Sequence, residues 1–466
     1  MKNLIYKEFL SHLTSFKLYP LAIILISLFI FNGIYFSFQF EEIQGYYNRR
    51  VTEQQLQKDE ASRSYKLPPS TTIFVGSNNE KQQSVSFWIQ INNMDLWQNN
   101  DEKGNIFLPA VHSLDWIFII QIFFSLLLLM LSYNSVSEEI EIKTLALVAS
   151  NAVSRWQIYL SKFISMFLIA ATVLLVAMLS SLLFILILNK IPIDGLILSR
   201  LFLFYLLSLL YGAFFILAGM TCSVLIRRST ISLIVALSVW LFLVVVFPQG
   251  AKIIVQRTQN NPSDFELAQQ SQMINDELDP KLDILKEKIE SKSHYTEEEK
   301  TDAIQQAHEE IKRLDWEHAP KEQQFTFYVY NLKQGRYQEQ RHWQQFSPHI
   351  LFRETAERFL YTGNYKFLDF LRQVKEFSLQ FQEDMQRQAG APKRYYSYFN
   401  AMINGERVLV CPPNPKFENN DMQLEATEPP LLSSLAAGLR GLLALMLVVA
   451  GVGIWGFVGF VRCDIR

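Results

Sequence analysis

The sequence is poor in the residues that most often hold disulfides or structural metals. Its three cysteines are far apart and none follows CxxC spacing; they are Cys222, Cys411 and Cys463. Such a set gives neither a disulfide framework nor a cysteine metal site. The seven histidines are scattered, at spacings that match no zinc signature. We therefore expect no bound metal.

The sequence also lacks a large excess of charge of either sign, and it lacks the common catalytic motifs. Lysine and arginine total 43 against 45 aspartates and glutamates, a net charge of −2, and no basic stripe carries interleaved aromatics, so nucleic-acid binding is not expected. The sequence has no GxxxxGKS/T loop to hold ATP phosphates and no GxSxG, HExxH or DFG motif. We therefore expect a chain that is not an enzyme and binds no cofactor itself.

Long hydrophobic runs dominate what remains. Hydrophobic residues make up 50% of the chain and phenylalanine alone numbers 36, but the mean hydropathy of +0.10 is too low for a chain that lies wholly in a membrane. A membrane helix needs about 20 apolar residues. Six segments reach that length, at 18–38, 114–131, 163–188, 201–225, 231–247 and 435–461. The sequence therefore predicts a mainly α membrane protein with a six-helix transmembrane bundle.

Basic residues near the ends of these segments predict the orientation. Lysines and arginines concentrate on the cytoplasmic side of membrane proteins, and Arg227 and Arg228 occupy a very short turn between the fourth and fifth segments. We expect both termini to lie in the cytoplasm. Residues 39–113 and 250–431 then form a smaller and a larger extracytoplasmic region, the larger one mostly helical (α+β).

Local patterns predict elements within these two regions. In the smaller one, alternation predicts strands at Thr72–Val75 and Ser84–Ile91, with turns at 78–79 and 101–105. In the larger one, Thr296 and Glu299 form a capping-box pattern that predicts the start of a helix. Further elements predicted there are helices over 265–289, 297–316, 348–360 and 365–388, a β-prone segment at 325–330, and a strand pair around the 404–405 turn within 395–410.

Few polar residues fall within the hydrophobic segments, where they are costly and often functional. Asp115 lies at the outer end of the second segment and Arg440 near the start of the sixth. Two readings stay open: the residues pair at an outer mouth, or each reaches the headgroup layer on its own. Gly453, Gly456 and Gly459 recur along the sixth segment and predict close helix packing, within the subunit or at a dimer seam.

The connection between the second and third segments, residues 132–162, is half apolar and half charged. It begins with Glu138, Glu139 and Glu141, continues through an apolar run, and ends in a second amphipathic stretch after Arg155 and Trp156. A connection of this kind is expected to rest against another surface. Since the chain lacks a nucleotide site, an ATPase subunit is the natural candidate.

These features together resemble an ABC-2 type transporter permease, the membrane subunit of a type V ABC exporter. Residues 1–17 form an amphipathic segment with Lys7 and Glu8 that leads into the first hydrophobic segment, like the interface helix of that family. Residues 138–147 with 153–158 and Lys162 are similar to its "E…TL..L…PVSR..I…K" loop, with Ala152 where the family often has proline. Residues 347–367 and 460–466 resemble the bacterial subgroup of DUF3526-containing permeases.

The resemblance implies a division of labour between subunits. The loop would form a coupling helix that docks on a dimer of ABC ATPase subunits, which bind ATP and magnesium; the residues assigned to this contact are Glu138, Glu139, Glu141, Thr144, Leu145, Arg155 and Trp156. A second permease subunit, identical or related, completes the transporter in the bacterial cytoplasmic (inner) membrane, among membrane lipids. An amphipathic cargo such as a lipid or peptide is the first functional hypothesis. The alternative is a mechanotransmitter that passes ATPase motion to an extracytoplasmic envelope partner.

Overall fold

The structure is a computed structural model, and it describes residues 2–14, 18–56, 62–76, 85–90, 94–98, 114–144, 153–250, 262–292, 294–344, 347–389, 398–411 and 427–462. Six helices in these ranges are long and apolar enough to cross a membrane, as the sequence predicts. We number them spans 1 to 6. Spans 1, 3, 4 and 6 are the helices Leu18–Leu56, Arg155–Leu188, Gly195–Leu225 and Leu431–Arg462. Span 2 consists of Trp116–Ile119, a π-helical turn Ile120–Phe124 and Ser125–Ser132, and span 5 of Ser229–Leu241 followed by a π-helical turn Phe242–Val246.

Seven described helices lie outside the spans. In chain order they are α1 (Lys2–Leu13), α2 (Ser137–Glu141), α3 (Asp264–Asp276), α4 (Asp279–Glu290), α5 (Glu297–Gln344), α6 (Pro348–Leu360) and α7 (Gly363–Ala389). Strands β1 (Ser62–Lys66), β2 (Val85–Gln90) and β3 (Met94–Gln98) form an antiparallel sheet in that order, and β4 (Phe399–Ile403) pairs with β5 (Glu406–Val410). We call the end of the bundle that carries α1 and α2 the N-terminal end, and the opposite end, which carries the strands and α3–α7, the domain end.

Span 3 begins earlier than its hydrophobic segment, which starts at residue 163. Ser154 caps the helix: its hydroxyl accepts from the Gln157 N–H at 3.4 Å, and the Gln157 side chain accepts from the Ser154 N–H at 3.2 Å. Such a reciprocal capping box fixes where a helix starts. Arg155 and Trp156 therefore lie in the first turn of span 3 and not in a free loop.

The hydrophobic core centres on span 4, which buries most of its length against its neighbours. Near the domain end, Trp116 is fully buried with its ring 5.3 Å from Phe29, 5.0 Å from Phe74 and 6.4 Å from Phe204. The side-chain amide of Asn32 donates to the carbonyls of Phe74 and Leu114 at 3.0 and 2.8 Å. These contacts hold residues 70–76 inside the bundle.

Two predicted strands are wrong. Thr72–Val75 forms a hydrogen-bonded turn, because Ile73, Phe74 and Val75 are all fully buried and so do not alternate between two environments. The β-prone segment 325–330 lies within α5, where the flanking polar helix-forming sequence continues the helix through it. The predicted turns at 78–79 and 101–105 lie outside the described residues.

Other local predictions are confirmed. The β4–β5 hairpin turns at Asn404 and Gly405, both with positive φ, and β2 lies within the predicted 84–91 strand. α6 has the predicted bounds, and α7 covers the predicted 365–388 helix. Thr296 and Glu299 form the capping box that starts α5, with bonds of 3.1 and 3.4 Å. The pKa of the Glu299 carboxyl is lowered to about 2, mainly by its hydrogen bond with Lys292 and further by the bonds of this cap.

One helix of the predicted 250–431 domain lies inside the bundle. Phe352, Phe359 and Leu360 of α6 belong to the same buried core as the spans. Span 6 lets α6 approach through two glycines: a Cβ atom on Gly438 would lie 2.4 Å from the Phe359 ring, and one on Gly441 would lie 2.2 Å from the Thr355 hydroxyl. α6 therefore fills the domain end of the bundle.

Candidate functional site

A buried lysine joins three elements at the N-terminal end. Lys162 of span 3 is only 2% exposed. Its ammonium lies 2.7 Å from Glu139 of α2 and 3.3 Å from Glu8 of α1. The structure thus brings together Glu8 and Glu139, two residues that the sequence singles out, through Lys162, a residue of the loop motif whose bridging role the sequence does not reveal. We call these three residues the Lys162 cluster.

Helix α2 is also bound to spans 4 and 5. The Ser223 hydroxyl of span 4 accepts from the backbone N–H groups of Val136 and Ser137, each at 2.9 Å. The Glu141 carboxylate accepts from the Ser229 N–H at 3.1 Å, so it occupies the start of span 5. The connection is therefore fixed to spans 3, 4 and 5 at once.

Arg155 and Trp156 join span 3 to the end of span 6. The Arg155 guanidinium donates to the Val461 carbonyl at 2.5 Å, a favourable place for a cation because helix carbonyls at a C-terminus carry partial negative charge. The Trp156 ring meets the Phe457 ring edge-on, with centroids 5.0 Å apart. Half of Trp156 stays exposed, at 51%.

Of the other predicted residues of the connection, Glu138 faces outward, Thr144 is half-buried and Leu145 is not described. Glu138 is exposed and accepts from the Asn134 amide, and the Thr144 hydroxyl donates to the Glu139 carbonyl at 3.4 Å. Ile142 is 63% exposed, large for an apolar side chain next to charges. Leu145 and the rest of 145–152 lie outside the described residues. We call Glu138, Glu141, Ile142 and Trp156 the outward surface.

A cavity of about 430 Å³ separates α1 from the connection. The Lys162 cluster lies in its wall together with His12, whose pKa is lowered chiefly by burial. The second carboxylate oxygen of Glu139 is buried there without a hydrogen-bond partner among the described residues. The lining of the cavity therefore combines the Lys162 cluster with apolar side chains such as Leu127 and Leu131.

Asp115 and Arg440 are not brought together. The Asp115 carboxylate accepts from the Phe118 N–H at 2.8 Å and so caps span 2. Arg440 is exposed on span 6, and the described contacts include no salt bridge between the two. At the same end, the buried Arg200 donates to Glu428 at 3.2 Å and to the Pro429 carbonyl at 3.0 Å.

The three glycines of span 6 face span 4. A Cβ atom on Gly456 would lie 2.4 Å from the Thr221 hydroxyl, while Gly453 and Gly459 approach Leu217 and Val224. The sequence leaves open whether these glycines pack within the subunit or at a dimer seam. The described contacts are within one subunit.

Comparison with known proteins identifies a family for this chain. Residues 2–319, more than half of the 466-residue chain, match the family described as ABC-2 family transporter protein. No curated protein matches the chain. The match covers spans 1–5 and both elements that meet at Lys162 from outside the spans. With its six apolar helices, the chain is an integral membrane protein that belongs to the ABC-2 transporter family.

Proposed function

We propose that the chain is the permease subunit of an ATP-driven ABC-2 transporter, and that its N-terminal end receives the ATPase subunit. The observation that carries the proposal is the Lys162 cluster, with α1, α2 and span 3 meeting at one buried cation. The partner ATPase dimer binds ATP and magnesium. The N-terminal end, with both termini, faces the cytoplasm, and the membrane is the bacterial inner membrane.

The fixed position of α2 supports force transfer. A push on the connection reaches span 3 through Glu139, span 4 through Ser223 and span 5 through Glu141. Because packed elements do not deform continuously, a displacement of α2 moves those helix ends with it. Glu139 and Arg155 act in this bracing and not in direct docking.

The outward surface is the docking contact in this proposal. Ile142 and Trp156 are its exposed apolar side chains, and Glu138 and Glu141 are its exposed charged ones. An apolar centre with a polar rim is the usual anatomy of a protein interface. The cargo is amphipathic, a lipid or peptide, and a second permease subunit, identical or related, completes the pathway.

The docking assignment is tested by co-expressing this chain with a candidate ABC ATPase subunit from the same genome. Ile142→Asp places a charge in the apolar centre of the contact, and we expect complex recovery and ATP turnover to fall about 10-fold or more, since truncating a central interface residue costs about 2 kcal/mol or more. Ser199→Asp, on an exposed site at the domain end, is the matched control. Unchanged complex with Ile142→Asp refutes the assignment.

Mechanotransmission is the second candidate function, and α6 favours it. This helix is wedged against spans 4, 5 and 6 and is followed directly by α7, so movement of the spans displaces α7 as well. An envelope partner on the domain side would receive that motion. Stimulation of ATP turnover by such a partner, with none by lipids or peptides, distinguishes this function from transport.

A further inference from the structure

Helices α4 and α5 form an open groove at the domain end that the proposed function does not use. The two helices run antiparallel, joined by residues 291–296, and enclose a cavity of about 820 Å³. Its floor is apolar and includes Leu285, Ala303 and Leu314. Ile284 on its edge is 66% exposed. The β4–β5 hairpin already packs on this helix pair and buries Ile289 and Ala307, so the apolar side chain that the groove leaves exposed is Ile284.

The two walls of the groove carry opposite charge. The charged residues that α4 contributes to it are Lys281 and Lys288, with Lys292 just beyond its end. Those that α5 contributes are Glu299, Asp302, Glu310, Arg313 and Glu317. Arg313 is already engaged by Glu310 and Glu317 of its own helix, at 2.5 and 3.6 Å. One wall is therefore basic and the other is acidic.

The walls do not neutralise each other across most of the groove. Lys292 meets Glu299 at 2.8 Å where the helices join. Farther along, the described ion pairs include none of Lys281, Lys288 and Asp302, although Lys281 lies near enough to Glu277, outside the groove, to help lower its pKa. The opposed charges are thus held apart around an apolar seam.

We propose that this groove docks the same groove of a second copy of this chain. In a two-fold interface each copy presents the same patch to the other. A patch with one basic and one acidic wall is complementary to itself: the rotation places α4 of one copy against α5 of its partner. The product brings four helices together over both grooves and covers the exposed Ile284 of each copy, with each basic wall facing an acidic one. The inference rests on the proposed function only in taking the second permease subunit to be identical.

Charge reversal tests this geometry on the full-length protein in membranes. A cysteine at Gln306, in the groove, reports contact between copies through a short thiol cross-linker, in a background with Cys222, Cys411 and Cys463 changed to serine. One variant carries Lys281→Glu and Lys288→Glu, and the other carries Asp302→Lys and Glu310→Lys. In either homodimer like charges face each other, and we expect the cross-linked dimer to be lost.

Co-expression of the two variants gives the decisive result. A mixed dimer sets the reversed α4 wall of one copy against the reversed α5 wall of the other, and sets the two native walls together, so both contacts are restored. We expect the cross-link to return in mixed dimers, which also shows that both variants fold. Lys286→Glu, on α4 but outside the groove, leaves the cross-link unchanged.

The outcomes separate this inference from the proposed function. Absence of the cross-link in the parent protein, its persistence in either homodimer, or its failure to return in the mixture overturns the groove contact. Cross-linking to a different protein overturns it as well. The amount of ATPase subunit that co-purifies is measured in the same samples. If no ATPase subunit co-purifies with the parent protein, the proposed function is contradicted, but the groove contact is not.

Discussion

Lys162 organises the N-terminal end because a buried cation is stable only with partners. Its ammonium is almost fully removed from solvent, and Glu8 and Glu139 supply the opposite charge. Removing one member of a buried ion group leaves the others uncompensated, which costs more than replacing the whole group by neutral residues. The cluster therefore fixes the positions of α1, α2 and span 3 relative to one another.

This asymmetry gives a prediction for stability. Lys162→Met leaves two carboxylates facing each other, and we expect it to lower the free energy of unfolding by about 3 kcal/mol. The triple variant Glu8→Gln, Glu139→Gln, Lys162→Met removes all three charges and is expected to lose less. Thermal unfolding of the purified protein in one detergent measures both; a triple variant less stable than Lys162→Met contradicts the account.

At the scale of elements, glycines let neighbouring helices approach span 6 closely and so determine how it packs. Gly438 and Gly441 admit α6, and Gly456 admits span 4. The sequence predicted this role for 453–459 because small residues at regular spacing indicate close packing. It did not predict α6 inside the bundle, because PHILFRETAERFL carries four charges that hydropathy assigns to a surface. Those charges pair within the helix, Arg353 with Glu357 at 3.0 Å and Arg358 with Glu354 at 3.2 Å.

Two glycines of span 6 provide a matched pair for testing the packing. A Cβ atom on Gly456 would lie 2.4 Å from the Thr221 hydroxyl and 2.6 Å from that of Tyr159, whereas one on Gly451 meets nothing within 4 Å. We expect Gly456→Ala to destabilise the protein by about 1–3 kcal/mol, as overpacking does. Gly451→Ala is expected to leave stability unchanged or raise it, since alanine favours helix. Equal melting temperatures for the two variants would show that this helix contact is absent.

At the scale of the whole molecule, the two ends of the bundle are built differently. Polar bridges hold the N-terminal end, and inserted segments, 70–76 and α6, fill the domain end. The spans were predictable because each is a local hydrophobic run. The inserted segments were not, since their burial depends on contacts far apart in sequence, such as the Thr72 hydroxyl with the Leu360 carbonyl at 3.2 Å. The roles of Glu139 and Arg155 likewise depend on partners that the sequence does not place beside them.

The central claim is that the ATPase meets the N-terminal end at the outward surface. A cysteine at Ile142, in a background with Cys222, Cys411 and Cys463 changed to serine, tests it directly when the complex is treated with a thiol-to-amine cross-linker in membranes. The control is a cysteine at Met402, which is 53% exposed on β4 at the domain end. We expect a cross-link to the ATPase subunit from position 142 and none from position 402. A cross-link from 402, or none from 142 in an intact complex, would contradict it.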